Sequence, residues 1–224
     1  MATQSETTVY FCPMKWRWKI AQFFEALWWW LYLSGKSEED YLNWKKSYWQ
    51  AFLKKNRIAV NDGDRIIEIG SGPAGIFMMF PCHEVTAIEP LLPKYKKLMS
   101  HFGNDNLRHV NFVEAPFEQY LPGSTFDKVF CLNVINHVGD LLVCMRKLYE
   151  LVEVGGQLFI SVDAHRWSFL KNIFRRIPWD ILHPHQHALT DYQLMLTHQG
   201  FTIERVEPIH SAWIFDYYLI IAKK

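Results

Sequence analysis

The 224-residue sequence has almost no net charge: 24 Lys and Arg against 23 Asp and Glu leave +1 at pH 7. Domains that grip polyanions carry a strong positive field, so this balance argues against a nucleic-acid partner. Cysteine is scarce as well. Cys12, Cys82, Cys131 and Cys144 lie in unrelated segments without a C-x-x-C pair, and read as thiols of a reducing compartment rather than a disulfide framework. No apolar run is long. The greasiest, residues 20–33, covers 14 positions and is broken by Gln22 and Glu25, short of the ~20 residues that cross a bilayer. The first dozen residues show no basic start, apolar run and small-residue cleavage site. The expectation is a cytoplasmic protein. Internal repeats and low-complexity tracts are absent too.

What the chain does have is aromatic surface. Sixteen per cent of its residues are Phe, Trp or Tyr, ten of them Trp, within a sequence that is half hydrophobic and 21% charged. Such a chain can bury a full core, which excludes intrinsic disorder. The rings either fill that core or line a pocket for a flat or greasy ligand. Charge is also uneven. Residues 1–60 hold nine basic and five acidic groups, so the basic excess lies there and the remainder is mildly acidic.

From position 65 onward short β-like runs alternate with helical ones. Strands are expected at 65–70, 84–88, 110–114, 128–132 and 157–162, with helical segments at 76–80, 93–102 and 141–152. Gly155-Gly156 is expected to stop the last helix. This alternation implies right-handed crossovers and a parallel sheet. The tail differs. A helix at 190–200 ends on Gly200, and strands at 201–207 and 217–222 are too close for a helical crossover, so they pair antiparallel. The fold class is therefore α/β: a Rossmann-like, seven-stranded, mostly parallel sheet with an antiparallel C-terminal hairpin. A Trp-rich helical cap, residues 1–60 with helices at 16–33 and 38–56, precedes a core of residues 61–224.

Glu68-Ile-Gly70-Ser-Gly72-Pro-Ala-Gly75 follows the first strand and opens a helical segment. Gly70 and Gly72 allow a tight turn and a close ligand approach where a Cβ would clash. Nineteen residues after Gly70, Glu89 ends the second strand, a position from which a carboxylate takes both hydroxyls of a ribose. Glu68 separates ligand classes. A carboxylate ending a buried strand needs a cationic or hydrogen-bond-donating partner. It would repel a pyrophosphate and suit a zwitterionic sulfonium; alternatively, the turn's own amides satisfy it.

These residues resemble the class I S-adenosylmethionine-dependent methyltransferases. Glu68-Ile-Gly-Ser-Gly-Pro is similar to their first motif, and Ala-Ile-Glu89-Pro to their ribose-binding strand end. The run from Phe126-Asp127 through Asn133 to His137 is similar to their fourth strand and its turn. Leu151-Val-Glu-Val-Gly155-Gly156 is similar to the loop into strand five. The resemblance covers residues 65–224 in the family's order, and the antiparallel tail fits it. It implies S-adenosylmethionine as cofactor, with Glu68, Gly70, Ser71 and Gly72 at its methionine end and Glu89 on the ribose. Phe117, in the Ala115-Pro116-Phe117 turn, would lie against the adenine, and Leu132 and Asn133 would border the methionine moiety. His137 would pack beside the cofactor. Two positions depart from the pattern: Ala74 stands where many members have a third glycine, and Pro116 where an acidic residue is common.

In an open parallel sheet a second reactant meets the loops beyond the carboxyl ends of the strands. Here that is the stretch 163–189, with Trp167, Trp179 and His183-Pro-His185-Gln-His187. An H-x-H-x-x-T run similar to His185, His187 and Thr190 occurs in many small-molecule members of the resembling family. His185 and His187 are the candidate catalytic residues, as general bases for a protonated acceptor. A metal site at the three histidines and a polar lid that caps the next helix remain as alternatives, and no metal is expected. Trp44 and Trp49, nearest the core, are the candidate substrate-binding residues of the cap, beside Trp167 and Trp179. Packing across the sheet, a dimer contact, or an interfacial helix at 15–33 are the other readings of the cap.

The resulting expectation is methyl transfer to a small aromatic or hydrophobic acceptor, the partner being a small molecule. Alternatives are a lipid or quinone-like acceptor at a membrane surface, and a non-catalytic nucleotide-binding protein of the same fold. A dehydrogenase is more distant, since no second catalytic domain is left.

Overall fold

Ile66, Ile67 and Ile69 flank Glu68 in an apolar run, and this run forms the central strand β1 (Ile66–Ile69), buried along its whole length. A computed structural model describes residues 37–165, 187–211 and 215–224, together with Leu27, Trp29, Leu31, Tyr32 and Gly35. The other strands are β2 (Val85–Ile88), β3 (Val110–Val113), β4 (Phe126–Cys131), β5 (Val152–His165), β6 (Thr202–Ser211) and β7 (Phe215–Lys223). They form one seven-stranded sheet in the order β3-β2-β1-β4-β5-β7-β6. β1 to β5 run parallel, and β7 is antiparallel to both β5 and β6. The expected architecture, antiparallel hairpin included, is the one observed.

Helix α1 (Glu38–Lys55) starts at Ser37, whose side chain accepts from the Asp40 amide, and carries acids in its first turn and Lys54 and Lys55 in its last. That arrangement complements the helix dipole. Tyr41, Trp49 and Phe52 form its buried stripe. Trp49 and Phe52 join Phe77, Phe80, Phe130 and Phe159 on one face of the sheet. The opposite face is aliphatic: Leu148, Leu151 and Met145 of α3 (Leu141–Leu151) and Leu196 of α4 (Leu189–Gln199) pack on Ile69, Val129 and Ile160.

Three expectations change in detail. The helical segment after the glycine turn is a single 3-10 turn, Ile76–Met79, because Pro81 follows and bars Phe80 from a helical conformation. Helix α2 (Leu92–Leu98) is shorter than the 93–102 span; the Ser100 and His101 amides leave the helical path to donate to the Glu38 carboxylate of α1. The third change corrects a boundary. Gly155-Gly156 does not stop α3, which ends at Leu151. Both glycines lie inside β5, where Gly155 takes φ 83° within an irregularity in the pairing with β4. The Gly155 amide donates to the Lys224 carbonyl and the Lys224 amide to the Gly156 carbonyl. Val152 therefore begins the strand, paired with Phe126, rather than ending the helix.

Candidate active site

Parallel register puts the ends of β2, β1 and β4 side by side: Ile69 is level with Ile88 on one neighbour and with Cys131 on the other. The residues that follow, Gly70, Glu89 and Leu132, thus share one edge of the sheet. The chain order reverses between β1 and β4, and an open α/β sheet leaves its ligand crevice at such a switch point.

The turn at that crevice is built on its glycines. Gly70 and Gly72 have φ of +66° and +58°, a region costly for side chains bearing a Cβ. A Cβ on Gly70 would collide with the Val134 side chain, whereas one on Gly72 would meet none of the described residues within 4 Å. Gly75 makes room of a different kind, since a Cβ there would strike the Glu68 carboxylate.

Glu68 is 2% exposed. One carboxylate oxygen accepts from the Ile76 amide and the other from the Phe77 amide, both at 2.9 Å. Its partners are thus the amides of the turn it precedes. Burial pushes its pKa up to about 7; the two amide bonds and the ammonium of Lys45 hold it below where burial alone would put it. Glu89, 5% exposed, accepts from the Gly72 amide at 2.9 Å and the Leu91 amide at 2.8 Å. Glu89 thereby ties the glycine turn to the end of β2.

Ser71 is buried and its amide donates to the Ile88 carbonyl. Leu132 packs with the aromatic core. Asn133, exposed with φ 58°, donates its amide to Ser161 Oγ at 2.7 Å. Phe117 is 4% exposed and belongs to the aliphatic core. His137 lies exposed after β4, its amide bonded to the Val134 carbonyl. These residues ring the ends of β1, β2, β3 and β4.

His187 stands just before α4. Its Nδ1 is 3.8 Å from the Asp191 carboxylate, and its ring meets Tyr192 edge-on at 5.5 Å. The Tyr192 hydroxyl donates to Asn136 Oδ1 at 2.8 Å, linking this histidine to the turn after β4. Burial, with Asp163 and Asp191 nearby, pushes the Tyr192 phenol up and keeps it a donor. His185, Trp167 and Trp179 lie outside the described residues, as do His183 and most of the 16–33 helix.

Of the two cap tryptophans, Trp49 is 8% exposed and its indole Nε1 donates to the Ala74 carbonyl at 3.0 Å. It pins α1 onto the glycine turn. Trp44 is 53% exposed and stacks on Tyr48, centroids 6.1 Å apart.

Between these rings sits Lys45, which was not among the candidates from sequence. Its ammonium lies 5.2 Å from the Trp49 ring, 5.5 Å from Tyr48 and 5.6 Å from Trp44. Burial lowers its pKa and the nearby Glu68 opposes that fall. One turn earlier, the Tyr41 hydroxyl is buried without a hydrogen-bond partner among the described residues. The signal for Lys45 was present: a cation at i+4 from Tyr41 and i−4 from Trp49 interrupts an apolar stripe.

A family described as "methyltransferase domain" matches residues 41–206. YrhH of Bacillus subtilis, classed by name with methyltransferases, is 23% identical over 147 residues, 57% of this chain and 79% of that protein. The tRNA U34 carboxymethyltransferase of Campylobacter curvus is 26% identical over 182 residues, spanning 70% of this chain and 59% of the relative. Among solved structures, the 1,6-didemethyltoxoflavin-N1-methyltransferase of Burkholderia thailandensis, with bound 1,6-didemethyltoxoflavin and S-adenosylhomocysteine, superposes with a TM-score of 0.61. It is 14% identical and the match covers 97% of this chain and 92% of that one. The tRNA enzyme among the relatives leaves the expected absence of a nucleic-acid partner without support. Among the described residues no helix is long and apolar enough to cross a membrane.

Proposed function

The chain belongs to the methyltransferase domain family, a family that draws its methyl group from S-adenosylmethionine, and from that premise we propose that it methylates a small aromatic or hydrophobic acceptor. The carrying observation is that Gly72, at the shared edge of β2, β1 and β4, would meet none of the described residues within 4 Å if it bore a Cβ.

The residues present fit the cofactor. Gly70 and Gly72 carry no Cβ at the turn, and Glu89 stands at the end of β2, the position from which a carboxylate would take two ribose hydroxyls. Asn133 and Leu132 border the same edge. Glu68 serves by shaping: it collects the Ile76 and Phe77 amides and so fixes the turn that receives the ligand. When bound, the cofactor supplies an electrophilic methyl group on a positively charged sulfur.

The protein's own contribution is then alignment and dryness. Holding an acceptor in line can lower the barrier by roughly 7–11 kcal/mol. Trp44, with Trp167 and Trp179, offers flat surfaces against which a ring orients. A hydroxyl or phenol acceptor must lose a proton, and His187, with His185, is proposed to take it. Asp191, beside Nδ1 of His187, would hold that nitrogen as the donor and leave Nε2 to accept. A carboxylate, thiolate or thioether acceptor would need no base.

The 1,6-didemethyltoxoflavin-N1-methyltransferase, which aligns with nearly the whole chain and holds 1,6-didemethyltoxoflavin, supports a small-molecule acceptor. Calorimetric titration with S-adenosylhomocysteine and with NAD tests the cofactor. Binding of the first alone is expected, and binding of NAD alone would remove the reading. A panel of phenols, heteroaromatics and amines with labelled methyl donor then tests the acceptor.

A second reading, a lipid or quinone-like acceptor at a membrane surface, draws on a groove beside α1. Lys46, Lys54 and Arg57 line it together with Leu53, Ile58, Met78 and Met79, a combination suited to an anionic, greasy surface. Sedimentation with vesicles containing phosphatidylserine separates the two readings.

A further inference from the structure

The end of α1 carries an arginine where glycine is usual. The Ile58 amide donates to the Leu53 carbonyl and the Arg57 amide to the Lys54 carbonyl, the pair of bonds that closes a helix through one left-handed residue. That residue is Arg57, at φ 52°, a conformation that strains any side chain bearing a Cβ. Residues held this way are concentrated at binding and switch sites. The same bonds bring Ile58 back to Leu53, and both line the groove of about 850 Å³ beside α1, together with Met78 and Met79 of the 3-10 turn. These four are half-buried, whereas Lys46, Lys54 and Arg57, which also line the groove, are exposed. The apolar side chains are thus recessed and the cations stand outside them. No acid lines the groove, and among the described residues no carboxylate pairs with the three cations. Lys46, Gln50 and Lys54 recur at every fourth residue of α1, with Leu53 beside them, so they share one helix face about 12 Å long.

We propose that this groove is a docking surface for an acidic amphipathic helix of a partner protein. The apolar edge of such a helix fills the recess over Leu53, Ile58 and the two methionines, as helices seat in grooves. Carboxylates flanking that edge meet Lys46, Lys54 and Arg57, which explains an arginine kept in a strained position. Met78 and Met79 are unbranched and adaptable, and suit a surface that closes around a partner's side chains. A membrane is also anionic and greasy, but it engages apolar side chains that protrude, and here they are recessed. Nucleic-acid phosphates would meet the cations and leave the apolar recess unfilled. The inference concerns the α1 groove alone and does not rest on the identity of the cofactor or the acceptor.

The probe is a synthetic amphipathic peptide of about 15 residues, long enough to form a helix, with leucines on one face and glutamates on either side of them. A second peptide has lysines in place of the glutamates. Each is titrated into the full-length protein carrying methyl-labelled methionine, as are phosphatidylserine vesicles and oligouridylate, and the Met78 and Met79 methyl signals report what enters the groove. The acidic peptide is expected to move both signals saturably, and the basic peptide to leave them unmoved. Lys46→Gln combined with Lys54→Gln should weaken the acidic peptide roughly tenfold. Arg57→Gly should raise the thermal midpoint by about 2–4 °C, by relieving the left-handed strain, and still weaken the peptide.

Equal responses to the acidic and basic peptides, or none to the acidic one, would overturn the proposal. A response to vesicles or to oligouridylate without one to the acidic peptide would overturn it as well, and would assign the groove to a membrane or to nucleic acid. Unchanged peptide affinity in Arg57→Gly, or a lowered midpoint, would mean that the arginine serves the helix end rather than the groove, and would remove the strain argument on which the docking surface stands.

Discussion

The two faces of the sheet are covered by different means. The aliphatic face lies under two regular helices of 11 residues each, α3 and α4, whose Leu and Met side chains meet Ile and Val. The aromatic face has a four-residue 3-10 turn after β1, and α1 lies over the remainder, with phenyl and indole rings filling the space between. Regular helices seal a surface. A short turn beneath a crossing helix leaves edges: the Lys46–Arg57 groove and the half-buried Lys45 lie on this second side. The chemistry collects where the covering is irregular, and the irregularity traces to the short turn itself, whose first amides cap the Glu68 carboxylate and which Pro81 cuts off.

The comparison can be broken first at its packing. Phe130 is stacked between Phe80 at 5.6 Å and Phe159 at 4.8 Å and is fully buried. Phe130→Ala is expected to cost about 3–5 kcal/mol in urea unfolding. Val129→Ala, next along β4 and pointing to the aliphatic face, removes less volume and should cost clearly less. Equal costs would deny that rings are the main support of the α1 side.

Glu68 supplies the next effect, through pH. Its pKa is raised by burial to about 7 in the folded protein, from 4.5. The folded state therefore binds this proton more readily than the unfolded chain. The associated stability is fully present below about pH 4.5 and is lost as pH rises to about 7, with a total of order 1–3 kcal/mol. Unfolding free energies measured at pH 5 and pH 7.5 should differ more in wild type than in Glu68→Gln, which cannot ionise. Identical differences would show that the carboxylate is not held at a raised pKa.

A smaller and more local effect is expected at Glu89. Replacing it with Ala removes the link between the Gly72 and Leu91 amides together with the proposed ribose contact. S-Adenosylhomocysteine binding should weaken by about 1–3 kcal/mol, and unchanged affinity would remove Glu89 from the site.

Much of this was readable in the residues themselves. Apolar runs with glycines behind them mark β1 and its turn because burial on both faces leaves no polar alternation to confuse them. The C-terminal hairpin follows from spacing alone. The α3–β5 boundary was less readable: Val152 fits the helical period of Leu141, Met145 and Leu148, yet its pairing with Phe126 places it in the strand. A bulge glycine inside a strand looks in sequence like a terminator. Glu68 was legible as a carboxylate in need of donors, but which donors it takes depends on where the turn leaves two amides, eight and nine residues further along the chain. Lys45 was visible only as an interruption of a stripe, and its significance comes from the rings folded around it.

The finest distinction between the two faces is a single bond. The Trp49 indole donates to the Ala74 carbonyl, the contact that fixes α1 against the glycine turn, while the ring itself packs on Phe52 and Tyr48. Trp49→Phe keeps much of the packing and deletes the donor. Global stability should fall by only about 0.5–1.5 kcal/mol, the worth of one hydrogen bond. The fall in S-adenosylhomocysteine affinity should be at least as large, because a looser α1 no longer holds the rim of the cleft in place. Hydrogen exchange at the Gly72 and Ile76 amides measures this directly: faster exchange with little change in β4 or β5 is the expected pattern. Uniformly faster exchange across the sheet would mean that Trp49 serves the core as a whole, and the irregular face would then owe its cleft to the 3-10 turn alone.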